Sequence, residues 1–123
     1  VNYRLGAAPA AVEDCRCALK WLVRNAPKFR FDASKIVITG DSAGSHLALV
    51  TGFLTKAAGF DANCPADGDP RAAAIVNWFG ATDVRGLIQG PNRRPFAVRW
   101  LEGVPKPDEL ARRISPLEHV RAG

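Results

Sequence analysis

Ile36-Val37-Ile38-Thr39-Gly40-Asp41-Ser42-Ala43-Gly44 runs from a β-branched stretch into a glycine, places a serine two residues on, and opens an apolar helix after a second glycine. The spacing G-x-S-x-G between a strand and a helix is that of a nucleophile elbow. A turn this tight brings side chains against neighbouring backbone, and small residues at Gly40, Ala43 and Gly44 relieve the crowding. The Ser42 hydroxyl is then left projecting above the sheet, and the Ala43 amide at the helix start is free to donate to a developing oxyanion. Ser42 is therefore the candidate nucleophile and Ala43 the candidate oxyanion amide. A phosphate loop is another use of glycines before a helix, but the stretch matches neither G-x-x-x-x-G-K-[ST] nor G-x-G-x-x-G.

Working outward, Lys35 to Thr39 reads as a strand apolar on both faces, which belongs in a parallel sheet covered by helices. Ala73 to Phe79, ending at Gly80, is a second such strand, and Val1 to Arg4 reads as the tail of another. Between them Val12, Cys15, Leu19, Leu22 and Val23 recur at helical spacing behind Pro9, with Asn25-Ala26-Pro27 as the stop. Ala43 to Ala58 is the helix after the turn, and residues 59–70, rich in Gly, Asp, Pro and Asn, form a surface loop. The expected fold class is α/β, with three parallel strands flanked by helices. Three strands are too few to stand alone. Beyond Gly80, Pro91, Pro95, Pro105 and Pro107 cut the chain into short pieces, with helices predicted over 96–102 and 107–113 and an approach loop over 115–123.

The 123 residues suit one modest domain without a membrane span, and the chain opens on Val1 with no methionine anywhere, as a piece of a longer protein would. The net charge of +5 is uneven: residues 1–83 carry nine basic and eight acidic side chains, residues 84–123 eight and four. That excess lacks the interleaved aromatics of a nucleic-acid motif, so a solvated face or a cap over 84–113 is expected and no nucleic-acid partner. Cys15 and Cys17 point to nearly opposite sides of their helix and cannot share a metal ion. Read with Cys64 as reduced thiols, they favour a cytoplasmic setting.

Val-Asn-Tyr-Arg-Leu at 1–5, Ala-Ala-Val-Glu-Asp at 10–14 and Gly-Asp-Ser-Ala-Gly-Ser-His-Leu-Ala at 40–48 resemble the α/β-hydrolase superfamily. The nearest likeness is to its esterase/lipase group, the hormone-sensitive-lipase-like and bifunctional acetylxylan/feruloyl esterase-like proteins. Asn77-Trp78-Phe79-Gly80 with Asp83, Gly90-Pro91-Asn92 and Ser115-Pro116-Leu117 fit the latter. The resemblance covers the whole chain and implies carboxylic-ester hydrolysis through an acyl-serine, without a cofactor, on a small-molecule or carbohydrate ester. It also implies a His-Gly-Gly oxyanion loop before residue 1, and a catalytic Asp and His after residue 123. Only Ser42 and the Ala43 amide carry over, so residues 1–123 are expected to be the central fragment of one hydrolase domain, nearly inactive alone.

The missing roles have candidates inside the chain. His46, a candidate base, lies on the helix that runs down from the sheet edge, where packing is the expected role; His119 sits in the terminal loop. Asp83, a candidate acid, follows the strand on the same edge as Ser42 but suits a loop cap better. Asp41 is a spacer inside the turn, and Asp67 and Asp69 are expected to be solvated. A chain without a competent base also fits a non-catalytic α/β-hydrolase-like binding module.

Overall fold

The computed structural model describes residues 1–64 and 67–121, so Pro65 and Ala66 of the expected surface loop and Ala122 and Gly123 of the terminal loop lie outside the described residues. Two parallel strands, β1 (Val37–Asp41) and β2 (Ala74–Trp78), pair from Val37 opposite Ala74 to Asp41 opposite Trp78. Around them lie helices α1 (Ala10–Phe29), α2 (Ala43–Phe53), α3 (Val84–Ile88), α4 (Pro95–Trp100) and α5 (Pro107–Arg113), with 3₁₀ turns at Ala33–Lys35, Lys56–Ala58 and Pro116–His119.

The sheet has two strands among the described residues, not the expected three. Val1 to Arg4 finds no strand to take its amides and turns to α1 instead: the Arg4 amide donates to Asp14 at 2.8 Å, and its guanidinium reaches Asp14 and Glu13. The helices also depart from expectation at their ends. α1 runs through Pro27, which sits in the last turn and so removes little from the ladder; Arg30, left-handed at φ 57°, ends the helix by donating to the Ala26 carbonyl. α2 stops at Phe53 rather than Ala58 because Leu54 turns extended, and Lys56–Ala58 form a separate turn.

α2 is the central element, buried from Ser45 through Thr51. It packs on one face of the sheet and against α1, while Val37, Val76 and Trp78 on the opposite face are exposed. The strand sequences are apolar on both sides as expected, yet one side is bare. Along the free edge of β1 a groove of about 430 Å³ opens beside α1 and α2, lined by Cys15, Leu19, Leu22, Ile38 and Leu47 among others. The core joins α1, α2 and the C-terminal helices, and in it Val12, Val50, Ala111 and Ile114 are wholly excluded from solvent. Burial of each valine and isoleucine side chain here contributes about 1.5–3 kcal/mol. Residues 84–113, expected as a cap or loop, form three short helices whose Val84, Leu101 and Leu110 join this core. Ser115 locks them by donating to the Ala111 carbonyl and accepting from the Val84 amide. Among the described residues no helix is long and apolar enough to cross a membrane.

The inner side of α1 buries charge as well as hydrocarbon. The Arg16 guanidinium, fully buried, bonds Asp61 at 2.8 Å, Asp69 at 3.0 Å and the Thr51 carbonyl at 3.0 Å, and Lys20 reaches Asp61 at 3.2 Å. Desolvation would raise the Asp61 carboxyl, but the hydrogen bonds from Arg16 and Lys20 outweigh it and hold the group below its ordinary value. Asp69, expected to be only solvated, is thus an ion-pair partner that also accepts from the Lys56 amide.

The cysteine expectation is overturned in the same region. Cys17 and Cys64 form a disulfide across 47 residues, and only Cys15 among the three is free. The bond removes the thiol-based argument for a cytoplasmic setting. A cross-link of this span stabilises by about 4 kcal/mol in the chain-entropy account. Urea unfolding with and without reductant is expected to reveal a loss of that size, and a midpoint indifferent to reductant would contradict it.

Candidate active site

Ser42 stands immediately beyond β1, between the strand and the first residue of α2, at φ 51° and ψ −116°. Non-glycine residues rarely adopt a positive φ, and this one is held there by its surroundings. Its amide donates to the Trp78 carbonyl at 2.9 Å, extending the strand pairing one step past the ladder. Its carbonyl accepts from the Ser45 and His46 amides and starts the helix. The Ser42 side chain is exposed and caps no amide of α2. Gly40 has to be a glycine here, because a Cβ would overlap the carbonyl of Gly44 where strand and helix nearly touch. Ala43 occupies the first position of the helix, where a backbone N–H has no partner within the helix.

A second turn leaves β2 beside this one. Ser45, fully buried, donates its hydroxyl to the Asn77 side-chain oxygen and accepts from the Trp78 amide at 2.7 Å. The same Asn77 oxygen accepts from the Gly80 amide at 2.8 Å. Gly80 fits so closely under α2 that a Cβ would overlap backbone at Ser45 and His46. Phe79, between them, is left-handed at φ 60° and 92% exposed. Sequence reasoning missed Ser45, Asn77 and Phe79. The readable signal was Gly80, a glycine directly after a strand, as Gly40 is a glycine directly before a turn.

The two histidines lie elsewhere. His46 is 5% exposed, with Nδ1 2.8 Å from the Ala81 carbonyl and its ring T-shaped against Trp100. A carbonyl can only accept, so Nδ1 carries the proton and Nε2 is left as a buried acceptor without a partner among the described residues. His119 is tied through Nε2 to the Arg113 carbonyl at 2.7 Å. Asp83 is the N-cap of α3, accepting from the Gly86 amide at 2.9 Å. Asp41, the last residue of β1, is exposed. Of the residues singled out from sequence, the fold brings Ser42 and the Ala43 amide together and gives His46 and Asp83 other partners. Among the described residues no group of three or more His, Cys, Asp or Glu side chains is placed to hold a metal ion.

Burial lowers the His46 pKa below its ordinary 6.5, against the opposing effect of the Ala81 hydrogen bond. The unfolded chain then takes up a proton that the folded ring refuses. The associated stability is whole above the unfolded value and is lost as pH falls towards the folded one. Melting temperature is expected to decline between about pH 7 and pH 5 in the native chain and to decline less in His46→Gln. Equal slopes in the two proteins would contradict a buried neutral imidazole.

The family model described as BD-FAE matches residues 1–123. Esterase LipC of Mycobacterium tuberculosis is 30% identical over 129 aligned residues, which take in 98% of this chain and 32% of that protein. Carboxylesterase NlhH of the same organism is 37% identical over 62 residues, 48% of this chain and 19% of that one. The chain thus spans under a third of the length of either relative. Among solved structures, a bifunctional GH43-CE protein of Bacteroides eggerthii superimposes with a TM-score of 0.70 at 26% identity, covering 98% of this chain and 18% of that one. A truncated carbohydrate esterase from gut microbiota, at 22% identity over 98% of this chain and 49% of its own, shares the fold with a TM-score of 0.63.

Proposed function

We propose a function from the premise that this chain belongs to the BD-FAE family, an esterase-like α/β-hydrolase family: it carries the nucleophile of a carboxylic ester hydrolase. The observation that carries the reading is the backbone of Ser42. A serine held at φ 51° between a parallel strand and the N-terminus of a buried helix stands clear of its own chain, at the sheet edge where α/β proteins bind ligands. The residues 40–44 act as a nucleophile elbow in this reading, with strain at Ser42 maintained by the close fit of Gly40 on α2.

In the reaction the Ser42 oxygen attacks the ester carbonyl carbon while a base takes the hydroxyl proton. The carbonyl π electrons move onto oxygen, and that oxyanion accepts a hydrogen bond from the Ala43 amide. Collapse expels the alcohol, which leaves with the proton returned by the base, and the acyl-serine is then hydrolysed by water. No cofactor is needed for these steps. The base and its acid come from outside residues 1–123, since His46 and His119 are engaged with the Ala81 and Arg113 carbonyls and Asp83 caps α3. The bare face of the sheet and the open edge of β1 support the same view, that these residues form the middle of a larger hydrolase domain. The substrate class in this reading is a small-molecule or carbohydrate ester.

The engagement of both histidines also supports a second reading, a non-catalytic hydrolase-like binding module. Ester hydrolysis by the natural gene product containing these residues separates the two. The enzyme reading expects turnover of acetyl esters by that product and almost none by residues 1–123 alone. An inert natural product would favour the module, and Ser42-dependent turnover by the isolated chain would contradict the external base.

A further inference from the structure

We infer that Phe79 is a substrate-contacting residue, whose ring forms a wall beside Ser42 against which an apolar group of the ester lies. The inference rests on the serine-hydrolase reading and adds a specificity determinant to it. Strand pairing ends with Asp41 opposite Trp78, so Ser42 and Phe79 are the next residues outward on neighbouring parallel strands. The Ser42 amide bond to the Trp78 carbonyl keeps the two chains adjacent at that step, at a spacing of about 4.8 Å. Both residues leave their strands at positive φ, 51° and 60°. Two non-glycine residues in that region, side by side at the carboxyl edge of a parallel sheet, occupy the place where ligands bind in this class of fold.

For a phenylalanine the conformation is unfavourable, since a bulky side chain with positive φ is a steric outlier. The turn enforces it. Gly80 is drawn in under α2 by its bond to Asn77 and its fit against Ser45 and His46, which leaves Phe79 no way to relax inward. The result costs the folded chain twice, in backbone strain and in a ring 92% exposed to water. No aromatic or cation contact offsets it among the described residues. Trp78 is exposed as well, but it lies in the regular ladder on the bare face of the sheet and carries no such strain. An apolar substituent on the ester would cover the Phe79 ring and recover what its exposure costs. That substituent belongs to the acyl group or to the alcohol.

The test uses the natural gene product, its Phe79→Gly and Phe79→Tyr variants, and three esters: ethyl acetate, ethyl benzoate and benzyl acetate. Glycine accepts positive φ, so Phe79→Gly is expected to melt no lower than the parent. It should lower kcat/KM for one aromatic ester about tenfold more than for ethyl acetate, through KM, as loss of one aromatic contact would. Loss confined to ethyl benzoate assigns the acyl side, and loss confined to benzyl acetate assigns the alcohol. Phe79→Tyr keeps the ring and should keep the selectivity. Equal loss on all three esters, unchanged selectivity, or a lower melting temperature in Phe79→Gly would overturn the inference. Labelling of Ser42 by a small fluorophosphonate separates the failures. A labelled serine with unchanged selectivity removes only the role of Phe79, whereas an unlabelled serine removes the hydrolase reading and this inference with it.

Discussion

Ser42→Ala in the natural gene product is expected to lower kcat by about a millionfold, the loss found when a serine hydrolase is deprived of its nucleophile. What remains would come from substrate binding and the oxyanion donors, including the Ala43 amide, which the substitution leaves in place. The fold should barely register the change. Alanine at φ 51° is strained as serine is, and the Ser42 hydroxyl caps no helix amide. Ser42→Gly extends the argument, because it removes the hydroxyl and the strain together. Its activity should fall as far, while its stability rises by about 1 kcal/mol, as expected where glycine replaces a residue at positive φ. Activity of Ser42→Ala within about tenfold of the parent would be irreconcilable with an acyl-serine mechanism.

The second large effect falls on stability, far from the serine. Asp61→Asn is expected to destabilise the chain by about 3–5 kcal/mol, because it strands the buried Lys20 ammonium and leaves the buried Arg16 guanidinium only the part-exposed carboxylate of Asp69. Arg16 and Lys20 are 0% and 3% exposed, and both point at the carboxylate of Asp61, itself 3% exposed. The neutral amide offers no charge to hold them, so the desolvation of Lys20 is uncompensated and that of Arg16 is offset by Asp69 alone. Asp69→Asn gives the control. That carboxylate also meets Arg16 at 3.0 Å, but its side chain is 37% exposed and water can replace it, so a loss of about 1 kcal/mol or less is expected. Urea unfolding of the two variants distinguishes them. Equal, small losses would mean that water reaches the Arg16 guanidinium.

How much of this was legible in the sequence follows the range of the forces involved. The β-branched run before Gly40 and the small residues after it act locally, and a strand, a turn and a helix follow in the expected order, with β1 at Val37–Asp41, two residues beyond the expected Lys35 to Thr39, and α2 starting at Ala43. α5 spans Pro107–Arg113 as expected, since a proline in the first turn and acidic residues beside it set the start without help from elsewhere. Longer-range partners were invisible. Cys17 pairs with a residue 47 positions away, and nothing in the spacing of three cysteines indicates that pairing. Helical periodicity placed Val12 and Leu19 on the buried side of α1, where they are, but Arg16 and Lys20 share that side only because Asp61 folds back to meet them. Val1 to Arg4 has a strand's composition and no strand beside it. At the candidate site, the turn around Ser42 could be anticipated from Gly40, although the crowding expected at Gly44 is not found, since a Cβ there meets open space; the left-handed Phe79 arises from the packing of Gly80 against α2 and leaves no mark in its own residue type.

The most direct test of the central claim is intact-mass measurement of the natural gene product after exposure to a small fluorophosphonate, with peptide mapping and Ser42→Ala alongside. A nucleophilic Ser42 activated by a base takes up one phosphonyl group at that residue, and Ser42→Ala takes up none. Unmodified protein, or a label that persists in Ser42→Ala, would mean that Ser42 is not the nucleophile and that the turn which holds it serves another purpose.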